Sequence, residues 1–158
     1  MIGLTHTLWW LLVTALGIVV QTMIPRIDAL VAAMILLLQD RNYKIMVWLL
    51  PLFVLLQEGL GTRIFGGTLV WYIVIGCLFK IGERFFSTKT FLFVFFLSAA
   101  IGVAYYALNV LLAPLQDLEV NPQELLDTSL LQSIFTPCSW LFLEHFKPTV
   151  EKEPEPYS

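Results

Sequence analysis

Charge is scarce in this sequence. Asp, Glu, Lys and Arg make up only 13% of its 158 residues, about half the share found in an ordinary soluble domain. With 58% hydrophobic residues and a mean hydropathy of +0.81, the chain carries more apolar surface than a water-soluble fold of this length can hide. Cysteine and histidine are just as thin. Cys77 and Cys138 stand alone in apolar stretches, and His6 and His145 lie near opposite ends. No C-x-x-C or Cys/His spacing offers a metal site, and each cysteine reads as a small buried hydrophobe. Serine, histidine and aspartate form no nucleophile grouping, and no glycine-rich loop has P-loop form, so the expectation is no catalytic residue, no cofactor and no metal. No basic stripe exists for nucleic acid. No pair of carboxylates lies deep in an apolar run, as a proton-driven carrier needs.

What the sequence has in abundance is apolar runs near membrane-spanning length, which is about 20 residues. Six helices are predicted over Leu4–Thr22, Ile27–Leu38, Tyr43–Leu56, Ile64–Ile81, Phe91–Leu112 and Leu130–Phe146. The second and third are short for a span. The first has no Lys or Arg before it, so it reads as a retained helix rather than a signal peptide. The fold class expected is all-α: a polytopic bundle of about six transmembrane helices forming one domain over residues 1–147. Residues 148–158, rich in Glu and Pro, read as a disordered cytoplasmic tail.

The connections read as polar turns. Asp40-Arg41-Asn42-Tyr43-Lys44 is a hairpin whose charges are expected to be solvated, and Pro114–Asp127 is an acidic loop. With the N-terminus inside, Arg41, Lys44, Lys80, Arg84, Lys89, Lys147 and Lys152 fall on the cytoplasmic side, and only Arg26 and Arg63 fall outside. That bias follows the positive-inside rule and predicts both termini in the cytoplasm.

The stretch Gln57–Gly67 places a carboxylate and a guanidinium at the ends of adjacent apolar helices, among glycines that permit a tight reversal. Glu58, Gly59, Gly61, Arg63 and Gly66 are the candidate residues, either a partner-facing clamp or an interfacial turn. In the fifth helix Ser98 and Gly102 lie four residues apart, a spacing that lets helices approach closely. This face is expected to pack within the chain or against a partner helix. Tyr105, Tyr106 and Asn109 follow as candidates for interhelical hydrogen bonds, an aromatic belt or a ligand cavity.

This layout resembles the MreD family, the small membrane subunit of the bacterial rod-shape machinery. The resemblance rests on Pro25-Arg26-Ile27-Asp28 opening the second helix, on the Asp40–Lys44 hairpin, on the turn from Leu55 to Gly66, and on Pro137 in the last helix. It implies a non-enzymatic scaffold in the bacterial inner membrane that binds an MreC-like bitopic protein. Through it the scaffold would connect a RodA-type glycosyltransferase and its transpeptidase to MreB filaments. The family is similar in fold to the substrate-binding S-components of energy-coupling-factor vitamin transporters, which implies a second reading, a small-ligand capture subunit.

Overall fold

The computed structural model describes residues 2–24, 26–41, 43–59, 66–117 and 119–148. Six α-helices account for most of them: α1 (Ile2–Met23), α2 (Leu30–Asp40), α3 (Tyr43–Gly59), α4 (Gly67–Glu83), α5 (Phe91–Leu112) and α6 (Pro122–Phe146). No strand occurs among the described residues. By length and composition, Gly3–Met23 and Phe91–Leu112 are long and apolar enough to cross a membrane.

The second helix is the centre of the bundle. Its sequence, LVAAMILLLQD, has no polar stripe, and a helix apolar all round needs cover on every side. The chain provides that cover: α1, α3, α4 and α6 all contact α2, and Leu30 through Leu37 are buried. At 11 residues α2 is about 16 Å long, roughly half a hydrocarbon layer, so it reverses the chain direction without spanning that thickness alone. It stops at Arg41, which takes the left-handed conformation with φ 52°. An ion pair from Arg41 to Glu83 of α4 holds that residue.

Successive helices alternate in direction. At one end the Trp9 indole N–H donates to the Phe146 carbonyl at 3.2 Å, which brings the start of α1 to the end of α6. The end of α2 lies there too: Asp40 pairs with Lys147, and Gln39 donates to the Thr88 carbonyl while accepting from Trp140 Nε1 at 2.8 Å. At the far end stand the close of α1 and α3 and the beginning of α2 and α4.

The outer helix faces are rich in apolar side chains, while the mainly apolar interior holds a set of polar ones. Large apolar residues such as Leu8, Val47, Ile73, Phe95, Val103 and Ile134 are exposed on the outer helix faces. Thr14, Gln21, Asp28, Gln57, Thr68, Gln132 and Thr136 are buried. A water-soluble fold favours the reverse.

The helix boundaries correct several sequence expectations. The acidic segment is not one long loop. Pro114–Gln116 is a short 3-10 turn and α6 begins at Pro122, where the Asn121 side chain accepts the Gln123 N–H at 3.1 Å. Asparagine before a proline at the first helical position is a strong start signal. Helix α2 starts at Leu30 rather than Ile27, with Ala29 before it and the Asp28 carboxylate accepting the Leu30 N–H, and Gly59 and Gly67 are helical. Cys77 and Cys138 are exposed rather than buried. Asp40 and Arg41 are ion-paired rather than simply solvated. Residues 149–158 lie outside the described residues.

Among the described residues, helices α5 and α6 make the most extensive pairing. Gly102 is where they come closest: a Cβ built there would lie 1.8 Å from Ser133 Oγ and 3.0 Å from the Ser129 carbonyl oxygen. Gly76 has open space. Gly102→Ala is therefore expected to destabilise the purified chain by about 1–3 kcal/mol, the usual cost of overpacking. Gly76→Ala is expected to be neutral or slightly stabilising through helix propensity. Thermal unfolding of the two variants side by side checks the contrast.

Candidate functional site

Asp28 sits just before α2, at its root. Its Oδ1 accepts the Leu30 backbone N–H at 3.1 Å, satisfying one of the donors that every helix start leaves open. The same oxygen accepts Gln21 Nε2 of α1 at 3.1 Å and Gln57 Nε2 of α3 at 2.8 Å. Oδ2 accepts Trp71 Nε1 of α4 at 3.2 Å. The Asp28 backbone is held as well: its N–H donates to Gln132 Oε1 of α6 at 2.9 Å, and its carbonyl accepts Gln132 Nε2 at 3.2 Å. Gln132 Nε2 also donates to Thr136 Oγ1 at 3.1 Å. The Trp71 ring meets Tyr105 of α5 edge-on at 5.5 Å. One residue thus links α1, α2, α3, α4 and α6 through hydrogen bonds, and α5 joins through an aromatic contact.

Asp28 is 3% exposed, and Gln57 and Gln132 are 1% and 0%. The groups converging on the carboxylate are N–H donors, which suits an acceptor-only carboxylate, and hydrogen bonds to a charged acceptor are the strong ones. Gln132 lies ten residues beyond Pro122 in α6, so the node sits about 15 Å below that helix tip. Gln21 Oε1 at the node, and Thr68 Oγ1 one turn before Trp71 on α4, are buried and find no partner among the described residues.

The residues singled out from the sequence fall elsewhere. Glu58 is half-buried, and its Oε1 accepts the Gly66 N–H at 2.8 Å. Gly66 has φ 83°, a conformation that favours glycine, and it caps α4. Glu58 therefore closes the α3–α4 turn and adds negative charge beside a helix start. Gly59 ends α3 with open space at its Cβ position. Gly61 and Arg63 lie outside the described residues. Ser98 is buried and donates to the Val94 carbonyl of its own helix at 2.6 Å. Gly102 is covered by α6, so a partner helix has no access to that position. Asn109 donates to the Tyr105 carbonyl at 2.8 Å, a bond within α5. No group of three metal-ligating side chains occurs among the described residues.

In the sequence Asp28 reads only as the acid opening the second helix, and Gln21, Trp71 and Gln132 are not among the candidates. A signal for them existed. Gln21, Gln57 and Gln132 are amides in otherwise apolar helix stretches, and an amide in such a place needs a polar partner inside the bundle. No protein-family model, curated protein or solved structure matches this chain.

Removing the carboxylate leaves several buried N–H donors without an acceptor. Asp28→Ala is expected to destabilise the chain by about 3–5 kcal/mol, in the range for breaking a buried charged network. Asp28→Asn, which keeps one oxygen but turns an amide toward other donors, is expected to lose a smaller part of that. Glu58→Gln keeps an acceptor for Gly66 and is expected to stay within about 1 kcal/mol of the parent. Thermal unfolding of the three variants ranks them, and Asp28→Ala as stable as the parent contradicts the assignment.

Proposed function

We propose that the chain is a polytopic protein of the bacterial inner membrane, with both termini in the cytoplasm, and that it acts by binding another membrane protein rather than by catalysis. The specific reading is an MreD-like scaffold of the cell-elongation machinery. It would engage an MreC-like bitopic protein and, in larger assemblies, a RodA-type glycosyltransferase and its transpeptidase. The observation that carries this reading is the contact between Asp28 and Gln57 at 2.8 Å. These residues belong to the two segments on which the resemblance rests, the proline–acid start of the second helix and the turn closing the third, and they meet in the core. The apolar outer faces support a lipid setting, and the basic residues gathered at the end that holds the start of α1 and the close of α6 support the orientation.

Partner binding in lipid relies on close packing and a few polar contacts. With Gly102 occupied by α6, the remaining sites are the outer apolar faces and the polar far end around Glu58 and the α5–α6 connection. A second reading, a small-ligand capture subunit, is favoured by Gln21 Oε1 and Thr68 Oγ1, buried polar atoms with no hydrogen-bond partner among the described residues.

Reporter fusions at Gln116 and Ser158 are expected to be extracytoplasmic and cytoplasmic respectively. A periplasmic C-terminus sinks the proposed topology. A tag after Ser158, pulled from mild detergent, is expected to bring down an MreC-like protein. A clean monomer that retains a vitamin-like molecule decides for the second reading.

A further inference from the structure

The connection from α4 to α5, Arg84 to Thr90, closes the bundle end that holds the start of α1 and the close of α6. Its shape is set by its own backbone. The Arg84 N–H donates to the Ile81 carbonyl at 3.2 Å, the Phe85 and Phe86 N–H groups to the Gly82 carbonyl at 3.0 Å, and the Thr90 N–H to the Ser87 carbonyl at 3.2 Å. The Thr90 side chain caps α5 through the Phe93 N–H. Helix α2 holds the hairpin from beneath, where Gln39 donates to the Thr88 carbonyl.

Charge at this end is unbalanced. Of the acids described there, Glu83 pairs with Arg41 and with Lys80, Asp40 pairs with Lys147, and Glu144 is exposed on α6, against six basic residues: Arg41, Lys44, Lys80, Arg84, Lys89 and Lys147. Arg84 and Lys89 are exposed and make no ion pair among the described residues. Lys44, exposed at the start of α3, is in the same position. The far end is the opposite, with Arg26 facing Glu124 at 3.8 Å and Glu58, Asp117, Glu119 and Asp127 around it.

Hydrophobic rings flank the excess charge. Phe85 is 76% exposed, Phe86 39% and Phe91 48%. Phe86 stacks on Phe96 at 5.3 Å, which joins the hairpin to the exposed apolar face of α5. Basic side chains beside exposed rings, at the rim of an apolar surface, match the boundary between acyl chains and headgroups. An acidic soluble protein would need the charges but not the rings. We propose that the Arg84–Lys89 hairpin is a binding site for the phosphate headgroup of anionic phospholipid. Phe85 and Phe86 enter the acyl boundary, and Arg84 and Lys89 contact the headgroup. The site rests on the membrane reading above but not on the choice of protein partner.

The test uses the full chain purified in an uncharged detergent. Binding of phosphatidylglycerol and of phosphatidylcholine is titrated by native mass spectrometry, with inorganic phosphate as a third arm. The parent chain is expected to prefer phosphatidylglycerol. Arg84→Gln with Lys89→Gln is expected to weaken that binding about 30-fold, the loss for two basic side chains near an anionic surface. Arg26→Gln at the far end is expected to leave it unchanged. Equal binding of the two lipids overturns the proposal, as does an unaffected double variant, an equal loss in Arg26→Gln, or an equal response to free phosphate. A chain that needs detergent yet shows no lipid preference sinks this inference alone. A chain soluble without detergent sinks the membrane reading with it.

Discussion

A carboxylate buried among helices has to be satisfied by the protein around it, and in this chain that requirement falls on Asp28. Gln21, Gln57 and Trp71 reach its oxygens from three helices, and Gln132 grips its backbone from a fourth. In lipid, apolar contact alone does not select one helix arrangement over another. Directional bonds do, because an amide rotated away from the carboxylate is left buried and unsatisfied. The node fixes the rotation of α1, α3, α4 and α6 about α2, and α2 can then be short and wholly apolar without losing its register.

The second fixed point is the opposite end of α2, where Gln39 joins Thr88 to Trp140 and Asp40 pairs with Lys147. An 11-residue helix separates two polar clusters by about 16 Å. Between them the core is aliphatic and aromatic, and outside them the helix faces are apolar. Such a molecule offers its neighbours a body of defined outline. That is why recognition by neighbouring proteins and lipids is the function proposed. The two ends differ in charge sign, which gives the body an orientation as well as a shape.

Much of the fold was legible in the sequence because apolar run length and proline or charged breaks are local signals. All six helices were anticipated, and α5 was placed to the residue. The errors have specific causes. The start of α6 was missed because Pro122 and Glu124 look like loop composition, although proline after an asparagine cap opens a helix. The candidate site was much less legible. Glu58 and Arg63 stood out as charges beside glycines, yet Glu58 closes a turn. Asp28, a single acid near a helix start, and three glutamines distant in sequence carry no local mark of their convergence. Their pairing depends on which helix faces meet, a tertiary property that spacing does not encode.

The most direct test of this account is a double-mutant cycle on Asp28 and Gln57. Asp28→Ala, Gln57→Ala and the double variant are unfolded under the same conditions, and the coupling energy is taken from the differences. The account predicts a coupling of about 1–3 kcal/mol, as for contacting residues in one hydrogen-bond network. Losses that add within about 0.5 kcal/mol, the behaviour of independent sites, would contradict it.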